Sequence, residues 1–265
     1  MIRRAIYLKF HQQSFNAYAC LRWWVEVARS LGGDLFVLCD LDSQKVPEDL
    51  RGYLLRSDEV LRAAMKSKLA EKWINAGAAH LTCFAHAHRQ GYEEFWNIDA
   101  DDTMFLMEKD AVVRSLHAAE QVARAQQIDC FSLDMYQTFQ VHWSFGVTFT
   151  RRSKDYLGIV ASIDPQAVVA AYPPVNDGQP FVRKEDGLVY RLIGYNGNID
   201  WFFTYMRDRQ LINARSFYIE NAYFAHVGIF GYDPLGQLIN GVYHWRNGKL
   251  WDRPVMADCI KIESI

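Results

Sequence analysis

Residues 95–105 read Phe95-Trp96-Asn97-Ile98-Asp99-Ala100-Asp101-Asp102-Thr103-Met104-Phe105. A short, mostly apolar run of this kind reads as a buried strand. It leads without a break into three carboxylates in four positions, Asp99, Asp101 and Asp102. Such charges repel one another at close range unless a cation neutralises them. Hard carboxylate oxygens favour Mg²⁺ or Mn²⁺ over softer metals. Alternate residues of an extended chain face one side, so Asp99 and Asp101 can point into one site. The competing reading is a solvated acidic turn with helix-capping roles.

Upstream, the chain alternates strands and helices. Ala5–Phe10 is expected to be a buried strand. Ser14 offers an N-cap to a helix carrying Tyr18, Leu21, Val25, Ala28 and Leu31, ended by Gly32-Gly33. Asp34–Asp40 reads as a second strand. Leu61, Met65 and Leu69 mark a helix expected to stop near Gly77, and Ala78–Gln90 continues as another, closed by Gly91. Strands alternating with helices imply a mainly parallel sheet, whose ligands bind at the carboxyl ends of the strands. Asp40, Asp42 and Asp99–Asp102 all fall at such ends, on one rim.

Downstream, Val112, Leu116, Ala119 and Ala123 have helical spacing, and Ile128–Asp134 reads as a strand. Residues 141–150 read as a strand pair, or a strand bent at Gly146. Residues 171–187, rich in Pro, Gly and Asp, read as a loop. A helix is expected from Asp200 to Arg209, and a short strand over Tyr223–Val227.

Composition narrows the function. Half of the residues are hydrophobic, which excludes global disorder. Twenty-nine Lys and Arg against 31 Asp and Glu argue against a strongly basic nucleic-acid binder while leaving room for a local basic patch, and no nucleic-acid partner is expected. The five cysteines form no CxxC pair and several sit in apolar runs, as buried thiols do in a reducing compartment. The opening MIRRAIYLKFHQQ has too short an apolar stretch for a signal peptide, and no run approaches a membrane span. The expected location is cytoplasmic, which leaves room for peripheral association with a membrane. There is no GxxxxGK[ST], GxSxG or HExxH, which removes the main support for P-loop, serine-hydrolase and zincin chemistry.

With these segments in place, the sequence resembles the GT-A glycosyltransferases, which use nucleotide-sugar donors. Phe15-Asn16 is similar to the start of their first helix. Asp40 and Asp42 stand where those enzymes carry acidic residues after the second strand. Ile98-Asp99-Ala100-Asp101-Asp102 is similar to their DxD motif, and 143–152 (WSFGVTFTRR) to the apolar stretch that follows. Asn198-Ile199-Asp200 resembles the segment bearing an acidic base before a helix, and Ala225-His226 resembles a late metal- or diphosphate-binding histidine. The first strand ends in Lys9-Phe10-His11 where those enzymes usually have a Pro-containing turn.

The resemblance implies an α/β fold: a GT-A-like mixed, mainly parallel sheet flanked by helices. It implies one domain over 1–265, with a nucleotide-sugar-binding half at 1–106 and an acceptor-binding half at 107–265. Asp101 and His226 would hold Mn²⁺ or Mg²⁺, and Asp99 would support that metal or touch the ribose. Asp102 is an accessory candidate. Asp40 or Asp42 would contact the nucleoside, and Asp200 would deprotonate the acceptor hydroxyl. His11 can stack on or hydrogen-bond a base, but reads first as a plain loop histidine. Asp200 is equally readable as a helix cap, and His226 reads first as a core histidine. The implied partners are a nucleotide-sugar, with a UDP-sugar the expected donor, and a glycan or lipid-linked acceptor. Two rival readings remain open from sequence. Asp99-Ala-Asp101-Asp102-Thr103 also fits the first motif of haloacid-dehalogenase-like Mg²⁺ phosphatases, with Asp99 as nucleophile. A degenerate transferase could bind a nucleotide-sugar or glycan without turnover.

Overall fold

A computed structural model describes residues 2–11, 15–69, 71–101, 103–105, 107–133, 145–151, 156–171, 181–182, 189–190, 199–219, 224–226 and 260–262. In chain order these form β1 (Arg4–Lys9), α1 (Phe15–Leu31), β2 (Asp34–Leu38), β3 (Leu54–Leu55), α2 (Glu59–Met65), α3 (Ile74–Gln90), β4 (Glu94–Asp99) and β5 (Thr103–Phe105). There follow α4 (Lys109–Ala125), β6 (Cys130–Leu133), β7 (Val147–Arg151), α5 (Tyr156–Ser162), α6 (Pro165–Ala171), β8 (Phe181–Val182), β9 (Val189–Tyr190), α7 (Ile199–Asp208), β10 (Ala214–Ile219), β11 (Phe224–His226) and β12 (Ile260–Ile262). Ser14, Asp102, Trp143, Tyr195 and Trp245 lie outside the described residues.

Eight strands form one sheet in the order β12-β10-β6-β7-β4-β1-β2-β3. Every neighbouring pair is parallel except the two made by β7, which runs antiparallel to both β4 and β6. The fold is therefore α/β with a mixed, mostly parallel sheet, and strands from 1–106 and 107–265 share it. Outside this sheet, β5 pairs antiparallel with β11, and β8 with β9.

Alternation along the strands sorts side chains into two cores, one on each face. Ile6, Leu8, Trp96, Ile98, Phe131 and Phe149 pack with helices α1 and α4. Ala5, Tyr7, Phe95 and Cys130 pack on the other face with α3, α5 and α7. Most strands are buried on both faces, which explains their nearly unbroken apolar runs. Trp201, in the first turn of α7, belongs to the second core at 2% exposure. Cys20, Cys39, Cys83 and Cys130 are buried free thiols, as the apolar runs around them imply.

Two glycines behave differently. Gly91 caps α3 at φ +69°, the left-handed conformation that suits a helix C-terminus. Gly77 does not stop a helix, contrary to the sequence expectation; it lies inside α3. Its missing side chain has a packing reason, because a Cβ there would run into Leu69 Cδ1 and sit 3.7 Å from Ile199 Cβ. Among the described residues, no helix is long and apolar enough to cross a membrane.

A buried charge network closes the amino rim of the sheet. Glu94 at the start of β4 accepts from Arg124 Nε at 2.9 Å and Nη2 at 2.6 Å, and from Arg4 Nη2 at 3.3 Å. Glu120 of α4 accepts from Arg4 Nη2 at 2.8 Å and from Trp96 Nε1 at 2.8 Å. Arg151 reaches the same rim because β7 is antiparallel: its Nε is 3.5 Å from Glu94, and its Nη1 donates to Ala123 O at 2.8 Å. The strand direction thus carries Arg151 away from the acidic turn and from any phosphate bound there. Burial works to raise the Glu94 pKa, but its bonds from Arg124 and Arg4 win and hold it below the ordinary 4.5. A depressed folded-state value means stability that is complete above 4.5 and lost as pH falls through the folded pKa. The urea midpoint is expected to stay level down to about pH 5 and fall below it, with a shallower fall in Glu94→Gln. Parallel declines in the two proteins would disprove the assignment.

Candidate active site at the carboxyl rim

The opposite rim gathers residues that are far apart in sequence. Lys9 ends β1 and Asp99 ends β4, and the two are partners in strand register. Both stand at odd positions, so both face α3. The Lys9 side chain is only 1% exposed, and its Nζ lies 2.5 Å from Asp99 Oδ1 and 2.5 Å from His80 Nδ1 on α3. An ammonium only donates, so Nδ1 is the accepting nitrogen of a neutral imidazole. Burial drives His80 well below the ordinary histidine range, and the neighbouring Lys9 charge adds to the effect. The Phe145 ring lies against His80 with centroids 4.4 Å apart. Cys83, one turn along α3, has its thiol pushed up to about 12 by burial, which leaves it protonated and inert.

The turn after β4 is tied down by backbone bonds. Asp99 N–H donates to Gly146 O at 2.7 Å, and Ala100 N–H donates to Lys9 O at 3.0 Å. Asp101 is 4% exposed, and its Oδ2 accepts from His11 N–H at 2.5 Å. The acidic turn is therefore a built element between β1 and β7. A loosely solvated turn would not bury Asp101.

Asp200 comes to this place from the first turn of α7. Its Oδ1 accepts from Phe145 N–H at 3.1 Å, one residue before the carbonyl that holds Asp99. His226 is placed by its backbone: the β5–β11 pairing sets it opposite Thr103, two residues beyond Asp101.

Asp40 stands at the end of β2. Its Oδ1 accepts from Ser57 N–H at 2.9 Å and its Oδ2 from Arg62 Nη2 at 2.8 Å. Burial would raise its pKa, but the Ser57 hydrogen bonds, His11 and Arg62 outweigh this and hold it below the ordinary aspartate range. It stays ionised and half-exposed beside His11. Asp42 is different: it is exposed, and its Oδ1 accepts from Gln44 N–H at 3.0 Å, capping the 3-10 turn Ser43–Lys45. Of the sequence-identified candidates, Asp99, Asp101, Asp200, His11 and Asp40 are linked by these bonds and charges, and His226 joins them through its backbone. Asp42 holds a turn.

Sequence reading passed over Lys9 and His80 as site residues. A lysine ending an apolar strand that pairs with the acidic strand was the available signal. His86 and His88 diverge on α3, as their helical spacing implies: Tyr7 Oη is 2.8 Å from His86 Nδ1, and His88 is exposed.

Among the described residues no three His, Cys, Asp or Glu side chains already converge as a metal cage. Asp99 and Asp101 are nevertheless carboxylates, the oxygen donors a hard divalent cation takes, each with one oxygen already engaged, by Lys9 and by His11 N–H. Compared with known proteins, the sequence matches no protein-family model and no curated protein.

Proposed function

We propose that the chain is a GT-A-type glycosyltransferase, moving a sugar from a nucleotide-sugar, a UDP-sugar, to a hydroxyl acceptor with a divalent metal. One observation carries the reading. The β5–β11 pairing joins His226 to an acidic turn 125 residues earlier, at the carboxyl end of a central strand. That is where open α/β sheets bind their ligands. The mixed sheet, mainly parallel, agrees with the same reading.

Asp101, Asp99 and His226 are the residues that would hold Mn²⁺ or Mg²⁺. A bound divalent ion supplies Lewis-acid stabilisation of the diphosphate leaving group. The chain's own groups supply the rest. Asp40 and His11, side by side at the ends of β2 and β1, face the nucleoside. A hydroxyl is a poor nucleophile until a positioned carboxylate removes its proton. Asp200 is that carboxylate, anchored through Oδ1 by Phe145 N–H. The acceptor is a glycan or lipid-linked glycan, which brings the enzyme to the cytoplasmic face of a membrane.

Calorimetric titration with UDP, GDP and ADP, with and without Mn²⁺, tests the proposal. Micromolar binding of one nucleotide, on the order of 8 kcal/mol, and its loss without Mn²⁺ are expected. No nucleotide binding, together with Mg²⁺-dependent phosphate release from a model ester that Asp99→Ala abolishes, would replace the transferase by the phosphatase.

A further inference from the structure

Lys9 is an expensive residue for its position. Ala5 and Tyr7, on the same face of β1, belong to the apolar core, and a further apolar side chain would continue it. A buried ammonium instead loses its hydration and persists only with a close counter-charge. That partner is Asp99, its neighbour in register, held at 2.5 Å. The imidazole of His80 faces the ammonium from α3, and the Phe145 ring backs it, so the ammonium has little room to move. The contact consumes one oxygen of the first carboxylate in the turn. Lys9 also lies too deep, at 1% exposure, to meet a bound nucleotide itself.

Resting on the transferase reading, we infer that Lys9 is a positioning residue of the site: its ammonium fixes Asp99 and, as a built-in monovalent cation, sets how tightly the acidic turn takes a divalent one. The fixed positive charge weakens metal binding at the turn, and in exchange it holds Asp99 in one place. Removing the charge therefore has opposite effects on two measurable quantities. The turn binds a divalent cation more tightly, while Asp99 loses its anchor and nucleotide binding becomes weaker.

The test is Mn²⁺ binding to the nucleotide-free protein, followed by the electron paramagnetic resonance of free Mn²⁺. Lys9→Met is expected to bind Mn²⁺ about tenfold more tightly than the wild type, the effect of one unit charge on a nearby divalent ion at water-like screening. The double variant Lys9→Met/Asp99→Asn, which removes both charges of the pair and with them one of the carboxylates that would hold the metal, is expected to lose this tightening and to bind Mn²⁺ no more tightly than the wild type. If Lys9→Met fails to fold, Lys9→Gln removes the same charge while keeping a hydrogen-bond donor, and the same tightening is expected. Unchanged or weaker Mn²⁺ binding in the folded single variant would overturn the inference, as would absence of Mn²⁺ binding in both wild type and variant. The two proposals separate cleanly. Tighter Mn²⁺ binding in Lys9→Met, with no nucleotide bound by any form, removes the transferase and keeps the role of Lys9. Nucleotide binding with an indifferent Mn²⁺ response does the reverse.

Discussion

On the proposed transferase reading, Asp101→Ala is expected to lower sugar transfer about a thousandfold, the upper range for loss of one group that stabilises transition-state charge. Metal-dependent nucleotide binding is expected to vanish with it. The carboxylate is 4% exposed and supplies an oxygen at the middle of the turn, between Asp99 on β4 and β5. Asp101 also has a structural duty, since its Oδ2 accepts from His11 N–H. That bond, from a backbone N–H to a carboxylate, is worth about 1.5–3 kcal/mol on removal, too little to unfold a chain of this size. Thermal unfolding should accordingly move down by several degrees, about 2–4 °C for each kcal/mol, while turnover collapses. Asp101→Asn sharpens the result, because it keeps an acceptor for His11 and loses only the charge. Wild-type turnover in Asp101→Asn would rule out metal ligation by this residue.

Glu120→Ala has the largest expected effect on stability. Its side chain is 1% exposed and accepts from Trp96 Nε1, Arg4 Nη2 and Arg124 Nη2. Alanine leaves an indole N–H without its acceptor in the core and removes one of two glutamates facing the rim arginines. Breaking a buried ion pair from one side costs about 3–5 kcal/mol. Arg124 is 31% exposed and regains water, which places the value at the lower end. The melting temperature should drop by about 6–12 °C, at 2–4 °C for each kcal/mol in a domain of this size. Glu120→Gln, which still accepts from Trp96, should recover part of the loss. A change below about 1 kcal/mol in Glu120→Ala would show the network to be dispensable.

The long elements were legible from residue spacing. Helices α1 and α4 each place apolar residues every three or four positions against one face of the sheet. β1, β2 and β4 are apolar runs bounded by charge or glycine. The antiparallel direction of β7 was not legible, because an apolar run buried on both faces has no polarity that periodicity can read. The two short helices α5 and α6 and the three-residue strands β5 and β12 carry too few residues to show a period. Gly77 misled for a related reason. A glycine that admits a neighbouring side chain and one that ends a helix look the same until Leu69 is in place beside it.

The candidate site divides in the same way. Carboxylates at strand ends announce themselves, and Asp40, Asp99 and Asp101 were found by that signal. Asp200 and His226 came from resemblance, and no local feature of their segments identifies them. Lys9 and His80 needed tertiary contact. A lysine at a strand end is ordinarily solvated, and only the register of β1 against β4 turns it into the partner of Asp99.

The two faces of the sheet also differ in what kinds of genetic change they can absorb. Lys9 and Asp99 hang from odd positions of β1 and β4, together with Ala5, Tyr7 and Phe95, while Ile6, Leu8, Trp96 and Ile98 hang from even ones. A point substitution at an even position disturbs packing against α1 and α4 and leaves every site residue where it was. Losing a single codon within Arg4–Leu8 would exchange the parity of the strand: Phe10 would turn toward His80, and the ammonium would turn into the opposite hydrocarbon layer. In descendants of this chain, the residue count of β1 should therefore be inherited more strictly than its spelling.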